Sequence, residues 1–560
     1  MKFFDKNTIL IIVSIIALIV ISSFFYFRID LTSDRRHSIS RQTKALMKSI
    51  DEPIDAIIYL TSDLNSGFFR LKNSTSEMLA ELNAFSKSKV NIQFQNPSEA
   101  ESASVREQKY LDLEKRGMTG TTVYDKDKEG KSIQKIIFPW VELAYNGKTI
   151  PVNLLKNDRN LSGEENLNNS IENLEFELTD AIRRLTKKEV EKIAFLEGHG
   201  ELNELETYEA SKNLNRYFQI DRGVIGADAT VLDGYKAVII AKPTEKFSEK
   251  DKFILDQYVM RGGSLLWLVD GVQVSEESLG TSGISPVIPL DLNLSDLLFR
   301  YGVRINPVLV EDAQSTLMPV NVAPKGSHPQ FQPMPWVYSP LLLTSSEHTV
   351  TKNIPPVKAR FASMVEAVGK DDIFSQNVLL ATSSNTHITQ TPVNISLAFM
   401  PDLKDKNYFH LAHIPVGVVM EGSFPSAFAN RIAPPEIQHV SPIIKTSKPT
   451  RQIVIANGDI IRNEIVQQGD SIQTLPLGFD RYMNQQFGNN DLITNAVLYL
   501  TDKDGWMELR SRSIPLRLLN KNRATEQRTF WQITNVVVPL FLLLIAGILY
   551  QWRRKRIYTA

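Results

Sequence analysis

The sequence predicts an α/β protein held between two transmembrane helices, with an extracytoplasmic body of two α/β domains. Three observations carry that prediction. An uncharged apolar run lies near each end of the 560 residues, strand-like and helix-like segments alternate between them, and there is no cysteine. An apolar content of 42% is ordinary for globular protein, and the length asks for more than one folded core.

Residues 1–7 read as a cytoplasmic N-terminus and TILIIVSIIALIVISSFFYF (8–27) as the first span. About 20 uncharged residues rising 1.5 Å each cross the roughly 30 Å hydrocarbon layer. A cleaved signal peptide is the alternative, but the run exceeds a usual h-region and SSFFYF offers no small-x-small site. At the other end, ITNVVVPLFLLLIAGILY (533–550) sits inside a second span at 531–552, with Trp531, Tyr550 and Trp552 at interfacial positions. The tail 553–560 opens with Arg553, Arg554, Lys555 and Arg556. Four cations can attract nucleic acid, but beside a hydrophobic span the positive-inside rule accounts for them and sets both termini in the cytoplasm. The body is then expected in the periplasm, tethered to the cytoplasmic (inner) membrane.

Residues 28–52 form a juxtamembrane segment in which Ser40 is placed to cap a helix at about 41–50. Across 53–188, PIDAIIYL (53–60) and VNIQFQNP (90–97) read as strands, and SEMLAELNAFSKS (76–88) and VREQKYLDLEKRG (105–117) as helices. TTVYDKD (121–127) and IQKIIFPWVELAY (133–145) read as two further strands, and LNNSIENLEFELTDAIRRLTK (167–187) as one long helix. The order β-α-β-α-β-β-α matches a thioredoxin-like core. Without a C-x-x-C pair, that domain is expected to bind or brace.

A second domain, 189–512, opens at EKIAFLEG (191–198). AVIIAKPT (237–244) and SLLWLVDG (264–271) are buried-strand runs around the helical KFILDQYVMRGG (252–263). VLLATSS (378–384), PVGVVMEGS (415–423) and RQIVIANGD (451–459) add central strands. This alternation implies a mainly parallel sheet covered on both faces. Prolines and polar residues mark 305–375 as an irregular insertion, DLITNAVLYLTD (491–502) as a last amphipathic helix, and 513–530 as a linker.

Several functions are disfavoured by what is missing. Lys+Arg 63 against Asp+Glu 63 leaves no broad basic field for nucleic acid. Cysteine is absent and the 8 histidines are scattered, so neither metal nor cofactor is expected. No P-loop occurs: Gly130-Lys131-Ser132 has Asp125 where the first glycine belongs. Gly262-Gly263 end a helix and read as a cap. No G-x-S-x-G elbow marks a nucleophile. His410 and His413 would fall on opposite faces of an extended segment. Trp336 and Tyr338 can form a glycan or peptide platform, or simply anchor their Pro-rich loop.

FLEGHGELNELE (195–206) has the best functional geometry. A strand ending at Gly198 and a helix over 201–218 would put Glu197, Gly198, His199, Gly200 and Glu201 at the carboxyl end of a strand, where open α/β sheets bind ligands. Three readings compete, in order of weight: a structural turn using glycine's φ/ψ freedom, a binding edge, and catalysis by His199 with Glu197 or Glu201.

RIDLTSDRRHSIS (28–40) after an apolar span resembles the hallmark of the GldG family, the auxiliary ("substrate-binding") proteins of ABC transporters associated with gliding motility. The resemblance continues through FLEGHGE, the P-x-x-x-F-S-x-x-(D/E) and QYVMRGGSLLWLVD block (243–270), and FGNNDLITNAVLYLTDKDGWMELRSR (487–512). It implies an ABC permease subunit and a cytoplasmic ATPase subunit as partners, and a link to gliding and type IX secretion. It also implies a glutamine-amidotransferase-like second domain, whose enzymes use a cysteine this chain lacks. On this reading the protein is a non-enzymatic accessory subunit. Arg28, Asp30, Leu31, Thr32, Arg35 and Ser38 would form the junction with permease or membrane lipid. The alternatives are a receptor for a glycan, peptide or lipid, and a hydrolase or transferase built on His199.

Overall fold

The computed structural model describes residues 39–510 and 525–558, apart from 62–64, 101, 127–131, 157–160, 188, 324–327, 329, 370–373, 439–441 and 470. The expected first span (8–27) and the junction residues Arg28, Asp30, Leu31, Thr32, Arg35 and Ser38 lie outside the described residues. Contacts group the chain into two compact units, divided between Ser513 and Ile514.

In the first unit, Ser40 caps the helix Arg41–Lys48, its hydroxyl accepting from the Thr43 N–H at 3.0 Å. The strands that follow are β1 (Ile54–Ile58), β2 (Val90–Phe94), β3 (Thr121–Lys126), β4 (Ser132–Ile137), β5 (Trp140–Tyr145) and β6 (Lys148–Asn153). Four of them make a sheet of order β2-β1-β5-β6, with β1–β2 parallel and the other pairs antiparallel. Its core joins Ile54, Ala56 and Ile58 to Leu71, Leu79 and Leu82 of the helix Ser66–Phe85 and to Leu178 and Ile182.

Four details differ from the sequence reading. The helix expected over 76–88 begins ten residues earlier, at Ser66, where the Asn65 side chain caps it. The expected strand 133–145 breaks at Phe138-Pro139, because proline cannot donate to a continuing ladder. Its first half joins β3 as a separate ribbon, and only its second half enters the sheet. The last sheet strand is β6, which the reading did not contain. The long helix is two helices, Gly163–Glu172 and Leu174–Thr186, meeting at Asn173. There the side-chain amide donates to the Asn169 carbonyl at 2.7 Å, the local competition that makes asparagine a poor helix interior.

The chain then supplies β7 (Lys192–Glu197), β8 (Gln219–Val224), β9 (Ala237–Ala241), β10 (Ser264–Leu268), β11 (Val272–Val274), β12 (Ile284–Pro289), β13 (Val303–Asn306) and β14 (Val308–Asp312). After them come β15 (Ser315–Asn321), β16 (Phe331–Thr344), β17 (Val357–Lys358), β18 (Met364–Ala367), β19 (Phe374–Ala381), β20 (Thr386–Gln390), β21 (Val393–Ser396), β22 (Pro415–Gly422) and β23 (Thr450–Ile455). A ten-stranded sheet runs β15-β16-β19-β22-β23-β10-β9-β7-β8, with β17 paired to β16. Neighbours from β23 to β8 are parallel, and those from β15 to β23 antiparallel. The expected parallel sheet is therefore only half of a mixed one.

Both faces of that sheet are covered. Ile193, Phe195, Ile239, Leu266 and Ile453 face a core with Leu492, Ile493, Ala496 and Val497 of the helix Asn489–Thr501. Ala194, Leu196, Ile240, Trp267 and Val454 point the other way, against Phe253, Ile254 and Tyr258 of the helix Glu249–Met260. This is strand alternation with two buried sides, and it explains why these strands read as unbroken apolar runs.

The described residues of 305–375 include the strands β14 to β18 where an irregular insertion was expected. Pro333 and Pro335 stand two apart in β16, so their missing donors fall on one side of the strand, a position sheets tolerate at edges and irregular pairings. On this sheet's flank, β11–β12–β21, β13–β18 and β14–β20 form small separate sheets.

The two ends of the described body meet. Gln42 Nε2 donates to the Glu508 carboxylate at 3.2 Å and to the Gly505 carbonyl at 3.5 Å. Leu46 packs with Phe176, Trp506 and Leu509, and the Arg183 guanidinium lies 5.0 Å from the Trp506 ring centre.

The second unit holds the helix Arg528–Tyr558, which contains the expected span 531–552 and carries Arg553, Arg554, Lys555 and Arg556 on its last turns. Among the described residues it is the helix long and apolar enough to cross a membrane.

Candidate functional site

β7 delivers Glu197 and the turn that follows to the carboxyl edge of the sheet. Gly198 and Gly200 take φ of +109° and +69°, and a Cβ on Gly200 would stand 2.1 Å from Thr244 Oγ1. Both the conformation and the space require glycine there. The His199 carbonyl accepts from the N–H groups of Thr244 and Glu245 at 2.8 and 2.9 Å, which pins the turn to the segment after β9.

His199 itself is 5% exposed and fully engaged. Its Nδ1 lies 3.1 Å from Glu201 Oε1, its Nε2 lies 3.2 Å from Asp251 Oδ2, and its ring stacks on Phe247 at 3.7 Å. The His199 N–H donates to the other Glu201 oxygen at 2.6 Å. Burial opposes the imidazolium, but the bonds to Asp251 and Glu201 outweigh it and raise the imidazole to about 9. Burial likewise opposes ionisation of Asp251, yet His199, Ser248 and Lys250 hold it at about 2. Asp251 sits in the first turn of its helix, where the dipole favours an anion.

Glu197 is turned elsewhere. It takes Arg222 Nε at 2.8 Å, while the same guanidinium donates to the Leu202 carbonyl and the Thr207 hydroxyl. The structure thus groups His199 with Glu201 and with Asp251, a partner the sequence reading did not have, and separates it from Glu197. The expected helix over 201–218 is confined to Tyr208–Leu214. Leu202 N–H is spent on the Ala241 carbonyl, and the Asn203–Glu206 pair of side-chain bonds shapes a turn instead. No helix N-terminus stands at Glu201.

A second site lies beside the carboxyl end of β23. It is a cleft of about 480 Å³ whose wall includes Trp336, Arg360, Asp459, Arg462 and Tyr482. Behind it, Lys242 Nζ pairs with Asp459 at 2.5 Å and Asp270 at 3.5 Å, and the Gly458 N–H donates to Asp270 at 2.6 Å. Burial pushes the Asp270 carboxyl up to about 6, Lys242 opposing it. Lys358 bridges Glu464 and Asp480 at 3.0 Å each.

Of the cleft residues, the sequence singles out Trp336 alone. Its neighbour Tyr338 is buried in a cluster with Trp336, Phe361 and Phe409. The available signal for the rest is Asp459, four residues past the end of the central strand β23. His410 meets the Tyr408 carbonyl at 3.0 Å, and among the described residues no His, Asp and Glu grouping suits a metal ion.

A mixed α/β body and a separate candidate membrane helix define the class of protein. A family model described as an ABC-type uncharacterized transport system matches residues 191–496, more than half of the chain, and the chain belongs to that family. It is accordingly an auxiliary component of an ABC-type transport system. A domain of unknown function matches residues 33–144. An uncharacterized protein of Borreliella burgdorferi is 21% identical over 550 residues, covering 95% of this chain and 94% of that one. Among solved structures, the mmIFT52 N-terminal domain is 16% identical with a TM-score of 0.32, covering 56% of this chain and 98% of that one, a likeness too slight to argue from.

Proposed function

We propose that the protein is a non-enzymatic, double-anchored subunit whose body stands in the periplasm and works with an ABC permease subunit and a cytoplasmic ATPase subunit. Family membership supports the ABC partnership. The observation that carries the anchoring is the meeting of the body's two ends, at Gln42–Glu508 and Leu46–Trp506. Chain leading to an N-terminal span and chain leading to the C-terminal helix leave from one place, which suits a body tethered twice to one membrane. The RIDLTSDRRHSIS motif supports the GldG-type assignment and, with it, the link to gliding motility and type IX secretion. The sheet order β2-β1-β5-β6 favours a thioredoxin-like 53–188, and the parallel strands β23 to β8 favour an amidotransferase-like 189–512.

The non-enzymatic reading draws on His199. A general base needs a free nitrogen within reach of its substrate, and both ring nitrogens here face carboxylates. Affinity purification from membranes, with the retained proteins identified, tests the proposal. A permease and an ATPase should co-purify, and removal of residues 1–27 should abolish their recovery. Undiminished recovery would end the role given to the first span, and recovery of neither partner would end the ABC role.

A further inference from the structure

We propose that the cleft beside β23 binds an extended peptide segment bearing a carboxylate, gripped by Arg360 and Arg462 and aligned on the open edge of β15. The inference does not depend on partnership with a permease.

The two guanidiniums have donors to spare. Each carries five N–H groups, and carboxylates normally take them at about 2.7–2.9 Å. Arg360 makes no side-chain hydrogen bond among the described residues. Its contacts are an ion pair to Glu276 Oε1 at 3.4 Å and the faces of Trp336 and Phe361 at 5.9 and 5.7 Å. Arg462 reaches the same Glu276 oxygen at 3.4 Å, Glu206 at 3.3 Å and Asp459 at 3.5 Å. Two forks thus converge on one carboxylate oxygen, Arg462 through a long hydrogen bond and Arg360 through an ion pair without one, and both side chains are about one-third exposed. Glu276 stands where a ligand carboxylate would be clasped, and holds the place loosely.

The second observation is the strand along the same cleft. Among the described residues, β15 is the last strand of the ten-stranded sheet and pairs on one side, with β16. Leu317 lies opposite Pro335, and Pro319 opposite Pro333. Prolines cannot donate, so the ladder bonds belong to the alternate pairs Met318–Met334 and Val320–Gln332. Leu317, which lines the cleft, therefore turns its N–H and C=O away from β16. An edge of this kind accepts an added strand.

A third observation completes the set. The indole N–H of Trp336, a cleft residue only 5% exposed, has no acceptor among the described residues. A peptide answers all three needs in one molecule: a carboxylate for the guanidiniums, an N–H and a C=O for Leu317, and a further carbonyl for the indole. A phosphate ion can accept from the guanidiniums and the indole but cannot extend along the edge of β15 as a strand.

The test uses the full chain in detergent and two mixtures of random-sequence, N-acetylated hexapeptides. One mixture has free C-terminal carboxylates; the other is C-amidated and lacks Asp and Glu. Retained peptide is read by mass spectrometry. The carboxylate mixture should be retained about tenfold more strongly. An Arg360→Gln/Arg462→Gln variant should bring it down to the amidated level, and Glu276→Gln, which removes the internal competitor, should raise it. Equal retention of the two mixtures, retention of neither, or undiminished retention by a double variant of unchanged melting temperature would overturn the proposal. Complete displacement by inorganic phosphate would reduce the cleft to an anion site and overturn the peptide assignment.

Discussion

Around His199, every ring nitrogen and both Glu201 oxygens are bonded, and the imidazolium lies between two buried or nearly buried carboxylates. In the cleft, Arg360 and Arg462 share Glu276 at 3.4 Å, and Arg360 makes no side-chain hydrogen bond among the described residues. Both places carry dense charge, and both lie where an α/β sheet presents ligands. What separates them is satisfaction. A buried charge whose partners are all internal holds the chain together, whereas a partly exposed charge with a donor to spare is available to something outside it.

That contrast can be broken at its strongest point first. His199→Ala should cost about 3–5 kcal/mol of unfolding free energy, because Glu201 would be left buried without its cation and Asp251 would keep Lys250 alone. Chemical denaturation measures it, and a loss within experimental scatter would show that the cluster is not structural.

Deprotonation should reproduce part of that loss. The imidazole is raised from 6.5 to about 9 in the folded state, so its contribution is complete below pH 6.5 and disappears as the pH climbs through about 9. Asp251, lowered from 3.8 to about 2, contributes above pH 3.8 and loses that contribution as the pH falls toward 2. Denaturation midpoints across the alkaline window should fall for the native chain and stay flatter for His199→Ala.

Gly200→Ala should cost about 1–3 kcal/mol, from positive φ and the collision with Thr244. Arg360→Gln should cost no more than about 1 kcal/mol, as partly exposed ion pairs do. If the last exceeded the first in a melting experiment, the division between bracing and docking would be reversed.

The parts of this fold legible in the sequence are those with uniform surroundings. AVIIA and SLLWL are buried on two sides, so their composition alone announces β9 and β10. Ser40 announces its helix by a local bond. Single residues hid other parts: Pro139 splits an apolar run between two sheets, and Asn173 splits a periodic helix whose pattern runs through the break. The prolines of β16 imitate loop composition because β15 needs no donor from them.

The turn at His199 was visible because its residues are contiguous. Asp251 was not, since it comes from 52 positions along the chain. The cleft was the least legible of all. Glu276, Leu317, Trp336, Arg360 and Arg462 come from five separate segments, and no window of sequence contains two of the cations with their shared carboxylate.

The meeting of Gln42 and Leu46 with Gly505, Trp506 and Leu509 also closes the body into a loop. Tension applied between the two ends would first load that contact and the helix Leu174–Thr186, on which both ends rest. The ten-stranded sheet, inside the loop, would bear load only after the contact had opened.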